Sequence, residues 1–220
     1  TNFSISMPVK SMLSSESLGS CKAIKRTDEN RTKKGNKTMT LLESVNIASE
    51  TQMPDFDLPD TQGNTWSFAD LTGSKGLLVI FTCNHCPYAL AVWERIIALS
   101  IWAKPQGINT VAINSNIHPS YPEDSPEEMI NIIKKWEIPF PYLIDSSQDV
   151  ARQYQAQCTP DIYLLKNDQT LFYHGRLDNN WKEPKKVTKE ELKIAIECFT
   201  LNKVFSEKQH PSMGCSIKWK

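Results

Sequence analysis

Cys83 and Cys86, separated by Asn84 and His85, are the residues whose type and spacing speak most directly of chemistry. Two intervening residues place the second sulfur about one helical turn from the first, near enough to bond to it or to displace a partner from it. The pair follows an unbroken apolar run, residues 77–81, and precedes Leu90, Trp93, Ile97 and Ile101 at helical spacing. The motif therefore stands where a buried strand gives way to a helix. Unpaired N–H groups and the positive end of the macrodipole at a helix N-terminus favour thiolate over thiol. On this basis Cys83 is expected as the exposed nucleophile and Cys86 as the resolving thiol. His85 is placed to hydrogen-bond the Cys83 thiolate or to set positive charge beside it. The other common use of such spacing, half of a structural zinc site, needs a second cysteine pair. Cys21, Cys158, Cys198 and Cys215 each stand alone, so no metal is expected.

Around the motif, strand and helix signals alternate from Pro54 onward, the pattern of an α/β domain. Phe56 and Leu58 alternate with aspartates, and Gln62-Gly63-Asn64 supplies a turn before Trp66 and Phe68, which predicts an opening hairpin. The apolar run at 77–81 is expected at the centre of a sheet, and residues 108–113 as the next strand. Ser125-Pro126-Glu127-Glu128 reads as a capped helix start, and Thr188 with Glu191 as a second capping box for a last helix. Residues 162–165 and 171–173 flank Asn167-Asp168-Gln169 as an antiparallel hairpin.

Composition narrows the class of function. Lys+Arg and Asp+Glu are equal at 25 each, so no whole-protein field favours nucleic acid or an anionic membrane. The longest apolar stretch is far short of the roughly 20 residues of a spanning helix, and no secretion signal is recognised. Cytoplasm is the expected compartment. Residues 1–38 hold eight Lys/Arg against three Asp/Glu, are rich in Ser, Thr, Asn and Lys, and lack apolar periodicity. They are expected to be a disordered basic extension, with the functional chain starting at Met39. An organelle presequence is the rival reading of this stretch, with Glu16, Asp28 and Glu29 against it.

With these residues in view, the chain from about 53 to 220 resembles the thioredoxin superfamily, and within it the redoxin group related to alkyl hydroperoxide reductase and thiol-specific antioxidant proteins. Met-Pro-Asp-Phe-Asp-Leu-Pro-Asp-Thr-Gln-Gly-Asn-Thr-Trp-Ser-Phe is similar to the redoxin entry hairpin, and Leu-Leu-Val-Ile-Phe-Thr-Cys-Asn-His-Cys-Pro-Tyr to the active-site strand and helix start. The resemblance implies a thioredoxin-like α/β fold over residues 39–220: a central mixed β-sheet flanked by helices, with an N-terminal β-hairpin extension and a tail from 203. Cys158-Thr159-Pro160-Asp161-Ile162-Tyr163 matches the loop that carries a cis-proline against the cysteine pair. Pro160 is then implied to be cis, and the Thr159 backbone to pair with an extended substrate peptide as an added strand.

Departures from the pattern separate the possible activities. In the peroxiredoxin motif, Pro-x-x-x-Thr-x-x-Cys, alignment on Cys86 puts Cys83 at the threonine and Val79 at the proline. Thr159-Pro160 stands where an arginine is expected, with Arg152 and Arg176 the nearest arginines. Leu77 occupies the position of the buried thioredoxin aspartate, for which Glu94 is the substitute in view. The expected activity is dithiol–disulfide exchange through Cys83 and Cys86, supported by His85, Thr159 and Pro160, without a cofactor. A protein disulfide, dithiol or reductant is the expected partner. Thiol-dependent peroxide reduction is the alternative. A copper chaperone of the Sco type, using both cysteines and His174, is a further one. Cys158 and Cys215 are possible additional redox cysteines. Each also has a bland role, Cys158 as a small buried hydrophobe and Cys215 in a tail docked by Ile217 and Trp219. Cys198 reads as packing.

Overall fold

Residues 77–81 behave as an uninterrupted apolar run should, forming the middle of a five-stranded sheet with both faces buried. The structure is a computed structural model and describes residues 40–220. The disorder expected of residues 1–38 and the start expected at Met39 lie outside the described residues. In chain order the elements are β1 (Leu41–Glu43), β2 (Asp57–Pro59), β3 (Thr65–Ser67), α1 (Phe68–Leu71), β4 (Gly76–Thr82), α2 (Pro87–Leu90), α3 (Trp93–Ala103) and β5 (Ile108–Asn114). They continue with α4 (Pro126–Trp136), β6 (Tyr142–Ile144), α5 (Asp149–Gln153), β7 (Cys158–Thr159), β8 (Asp161–Lys166), β9 (Leu171–His174), α6 (Glu191–Thr200) and β10 (Met213–Ser216).

The central sheet has the order β6-β5-β4-β8-β9. Strands β4, β5 and β6 are mutually parallel, and β8 runs antiparallel to both its neighbours, so the sheet is mixed. Alternation along β4 divides the core. Leu77, Val79 and Phe81 join Val111, Ile113, Tyr163 and Leu165 on one face, against Phe56, Phe68, Val150 and Tyr154. Leu78 and Ile80 join Ile162 and Leu164 on the other, against Ile96, Leu99 and Ala103 of α3 and Leu192, Ala195 and Ile196 of α6. Met129 of α4 packs on that second side with Trp93, Ala112 and Tyr142. Helices thus flank a mixed sheet, with the β2–β3 hairpin before it.

Three local expectations are corrected. The single long helix after Cys86 is two pieces. Val92 N–H bonds the carbonyl of Ala89, one residue short of the α-helical partner, and the α pattern resumes with Ile96 N–H on Val92. That tightened turn rotates the apolar face, so Val92, Ile96, Leu99 and Ala103 are buried while Ile101 is 59% exposed. Thr188 does not cap α6: its hydroxyl and N–H bond the Asn179 side chain, and Glu190 is the N-cap. Glu191 turns inward and accepts Arg176 Nε and Nη2. In the tail, Ile217 is buried as expected, but Trp219 stays 39% exposed beneath the Arg152 guanidinium.

A second, three-stranded sheet has the order β1-β10-β7, which no periodicity in such short segments announces. β10 pairs antiparallel with β1 on one side and with β7 on the other. Among the described residues, no helix is long and apolar enough to cross a membrane. Because Leu78 is fully buried between β4 and the α3/α6 layer, Leu78→Ala is expected to cost roughly 2–5 kcal/mol. A lower urea midpoint with an unchanged slope checks this.

Candidate active site

β4 ends at Thr82, and Cys83, Asn84 and His85 form an irregular link before Cys86 caps α2 with Pro87 in the first helical position. The link is held from a distant segment. Asn84 N–H donates to Asp124 Oδ1 at 2.6 Å, and Asn84 Nδ2 to the Glu123 carbonyl at 3.0 Å. Asn84 Oδ1 accepts the Tyr142 hydroxyl at 3.0 Å. His85 Nδ1 is hydrogen-bonded to Asp124 Oδ2, and the ring lies 4.6 Å from that of Tyr121. Its Nε2 is buried with no hydrogen-bond partner. Asp124 is fully buried, and its carboxylate is met by Asn84 N–H, His85 and, at 3.5 Å, Asn114 Nδ2.

The expected exposure of Cys83 is not found. Cys83 and Cys86 are both fully buried, packed with Ala89, Cys215 and Tyr88. Burial follows from position: Cys83 continues a strand covered on both faces, and β10 closes over the pair. Cys83 Sγ and the Thr159 hydroxyl are hydrogen-bonded at 3.2 Å, and Cys86 Sγ donates to the Thr159 carbonyl at 3.1 Å. The Thr159–Pro160 peptide bond is cis. Cys86 packs with Cys83 and with Cys215. Cys83, Cys86 and Cys215 are not joined by disulfides.

These contacts decide which sulfur ionises. Cys86 is pulled well below the ordinary thiol range, first by the Cys215 thiol and then by the Cys83 thiol, with the amides of Ala89 and Cys215 acting the same way. Burial opposes this, and so does the Thr159 carbonyl, which loses its donor when Cys86 deprotonates, but the four donors outweigh both. Burial raises Cys83 well above its ordinary value, and its bond to Cys86 and the Asp124 carboxylate raise it further. Cys215 is raised by its bond to Cys86 and by burial. The surroundings therefore favour the anion on Cys86, at the helix start, over Cys83 three residues before it.

β10 occupies the edge that a substrate strand was expected to use. Cys215 stands opposite Thr159 and Ser216 opposite Cys158 in antiparallel register. Gly214 makes this approach possible: a Cβ there would meet the Thr159 carbonyl oxygen at 1.9 Å. Cys158 shares the loop, but its sulfur faces the carbonyls of Pro160 and Ser212, and burial keeps it protonated.

Other expected residues lie elsewhere. Glu94 is exposed, and the buried carboxylate beside the cysteines is Asp124, which spacing could not reveal from forty residues away. His174 is not polar surface. It is buried, bonded to Asp161 at 2.8 Å and stacked on Tyr163. The three described arginines are committed elsewhere: Arg95 to Asp178 and nearby carbonyls, Arg152 to the Ser147 carbonyl and Trp219, Arg176 to Glu191. Cys83 Sγ, a His85 nitrogen and an Asp124 oxygen lie within 4.8 Å of one another, a set with the ligand types of a soft or borderline metal. The His85–Asp124 hydrogen bond already uses two of those groups.

A family model described as AhpC/TSA matches residues 50–174. The chain belongs to the AhpC/TSA family. This redoxin shares 38% identity with an uncharacterized conserved protein from Geobacillus kaustophilus, over 83% of this chain and 98% of that one, with a TM-score of 0.78. A hypothetical protein from Sinorhizobium meliloti is 37% identical over 81% of this chain and 98% of its own, with a TM-score of 0.76. A Mycobacterium tuberculosis peroxidoxin, 13% identical over 71% of this chain and 98% of its own, shares the thioredoxin-like fold at a TM-score of 0.53. No curated protein matches the chain.

Because the Cys86 pKa falls on folding, its stabilising contribution is present above the ordinary thiol pKa of about 8.5 and declines as pH falls toward its folded value. Cys83 and Cys215 are raised, so theirs is present below that pKa and lost as pH rises through their folded values. Ultraviolet thiolate absorbance should accordingly show one thiolate persisting below the ordinary range. Cys86→Ser should abolish it, and Cys83→Ala should shift its midpoint upward by removing a donor. Gly214→Val is expected to lift β10 from Thr159 and speed iodoacetamide labelling of Cys83 and Cys86 at least several-fold, read by peptide mass.

Proposed function

We propose that this redoxin catalyses dithiol–disulfide exchange with protein partners, with Cys86 as the attacking sulfur and Cys83 as the resolving one. The observation that carries this reading is the packing of Cys83 and Cys86 together beneath Thr159, whose hydroxyl meets Cys83 Sγ and whose carbonyl meets Cys86 Sγ, with Cys86 the sulfur favoured as an anion. Cys86 thiolate attacks one sulfur of a partner disulfide, and the other partner sulfur leaves as a thiolate and takes a proton. Cys83 then gives up its proton and attacks Cys86, releasing the partner's second thiol and leaving a Cys83–Cys86 disulfide. The balance is two electrons passed to the partner with two protons, one from Cys83 and one from the solvent to which Cys86 gave up its own, and the same steps in reverse oxidise a partner dithiol.

The proton leaving Cys83 needs a base in a dry site. His85, oriented through Nδ1 by Asp124 and with Nε2 unpartnered, supplies one. Thr159 holds both sulfurs through its hydroxyl and carbonyl. The reading favours exchange over peroxide reduction because none of the three described arginines is bonded at the sulfurs to steady a peroxide oxygen.

The expected outcome is reduction of insulin disulfides with dithiothreitol supplied, lost at least a hundredfold in Cys86→Ser and in Cys83→Ser. Asp124→Asn should lower the rate while leaving thermal unfolding cooperative. Undiminished insulin reduction in Cys86→Ser would overturn the assignment. So would rapid hydrogen peroxide consumption by a protein that fails to reduce insulin.

A further inference from the structure

Thiol–disulfide exchange passes a bond among three sulfurs, with the attacked sulfur between the attacking and leaving ones. Cys86 packs with both Cys83 in its own motif and Cys215 in the tail, which makes it the sulfur that the other two meet. Cys215 arrives there on a strand. β10 adds antiparallel to β7, setting Cys215 opposite Thr159, the residue whose carbonyl bonds Cys86. An extended peptide recognised by strand addition at this edge would lie in the same place.

The strand is firmly seated. On its other side it pairs with β1, with Leu41 opposite Cys215. Beyond it, Ile217 N–H bonds the Gln157 carbonyl, Lys218 N–H bonds Asn116 Oδ1, and the Ile217 side chain enters the core. The glycine before Cys215 is required by the 1.9 Å approach of its missing Cβ to Thr159.

We infer that β10 is a tethered substrate strand and that Cys215 is a third redox cysteine, which opens the Cys83–Cys86 disulfide by forming a Cys86–Cys215 disulfide within the same chain. The inference rests on the exchange reading, whose product is the Cys83–Cys86 disulfide. The Cys215 sulfur attacks Cys86 Sγ, the Cys83–Cys86 bond breaks as the Cys86–Cys215 bond forms, and Cys83 leaves with the proton that Cys215 gives up. No electrons are gained or lost. A protein partner competes with β10 for one edge and one sulfur, so the tail sets which partners gain access.

Disulfide mapping tests this on the full chain. Trypsin places Cys83 and Cys86 together in peptide 76–95, Cys215 in 209–218 and Cys158 in 153–166. In Cys83→Ser, and in Cys83→Ala as a second variant, oxidation with glutathione disulfide should join 76–95 to 209–218 in most molecules. Cys83→Ser/Cys215→Ser should lose that species. The wild type in the same buffer should give the link internal to 76–95 together with a smaller amount of the 76–95/209–218 species. Recovery of 209–218 as the thiol in both single variants, with Cys86 glutathionylated or joined to a second chain, would overturn the inference while leaving exchange intact. Failure of the wild type to form any disulfide within 76–95, with no insulin reduction, would instead remove the exchange reading itself.

Discussion

A sulfur that must carry negative charge away from water has to be given its hydrogen bonds by the protein. Cys86 is fully buried, and the donors around it come from three parts of the chain: Cys83 from the end of the central strand, Ala89 from the first turn of α2, and Cys215 from the tail. An unpaired buried anion costs far more than a paired one, so each donor matters more here than it would at a surface. Asp124 faces the same demand at the other end of the motif and meets it with Asn84 N–H and His85. Its own charge disfavours ionisation of Cys83, which helps to confine the anion to Cys86.

The scaffold makes this arrangement by ending strands where the sulfurs are needed. β4 is buried on both faces by alternating contributions to two cores, so its final residues emerge already covered. β8 lies next to β4, and the two residues of β7 before Pro160 leave that sheet to begin another with β10 and β1. Thr159 is therefore at a junction: its side chain and carbonyl face the cysteines while its backbone pairs with the tail. The site is completed by residues from near both ends of the described chain.

Much of the framework was legible because its causes are local. The β4 run announced itself by length and composition, the β2–β3 hairpin by alternation around a turn, and α4 by Ser125 accepting Glu128 N–H with Pro126 at the first helical position. The cysteine spacing and the Thr159-Pro160 loop were equally plain. Less was legible where neighbours compete. Thr188 has the right spacing to cap α6, but Asn179 offers it better partners and the inward demand of Arg176 redirects Glu191. A single tightened turn at Val92 exchanged one apolar row of α3 for another, which a helical-wheel reading cannot foresee.

By itself the sequence determined that two cysteines follow a buried strand and precede a helix, which is a property of neighbours along the chain. Resemblance to the redoxin group set the Thr-Pro loop against them, and the tail cysteine stayed open between a redox role and packing. Only the tertiary structure decided that Asp124 rather than Glu94 is the buried carboxylate, that the surroundings favour the thiolate on Cys86 over Cys83, and that the tail fills the edge beside Thr159. The reason is that ionisation in a dry site depends on which donors and charges converge within a few ångströms, and residues forty to a hundred and thirty positions apart carry no record of that convergence in their order.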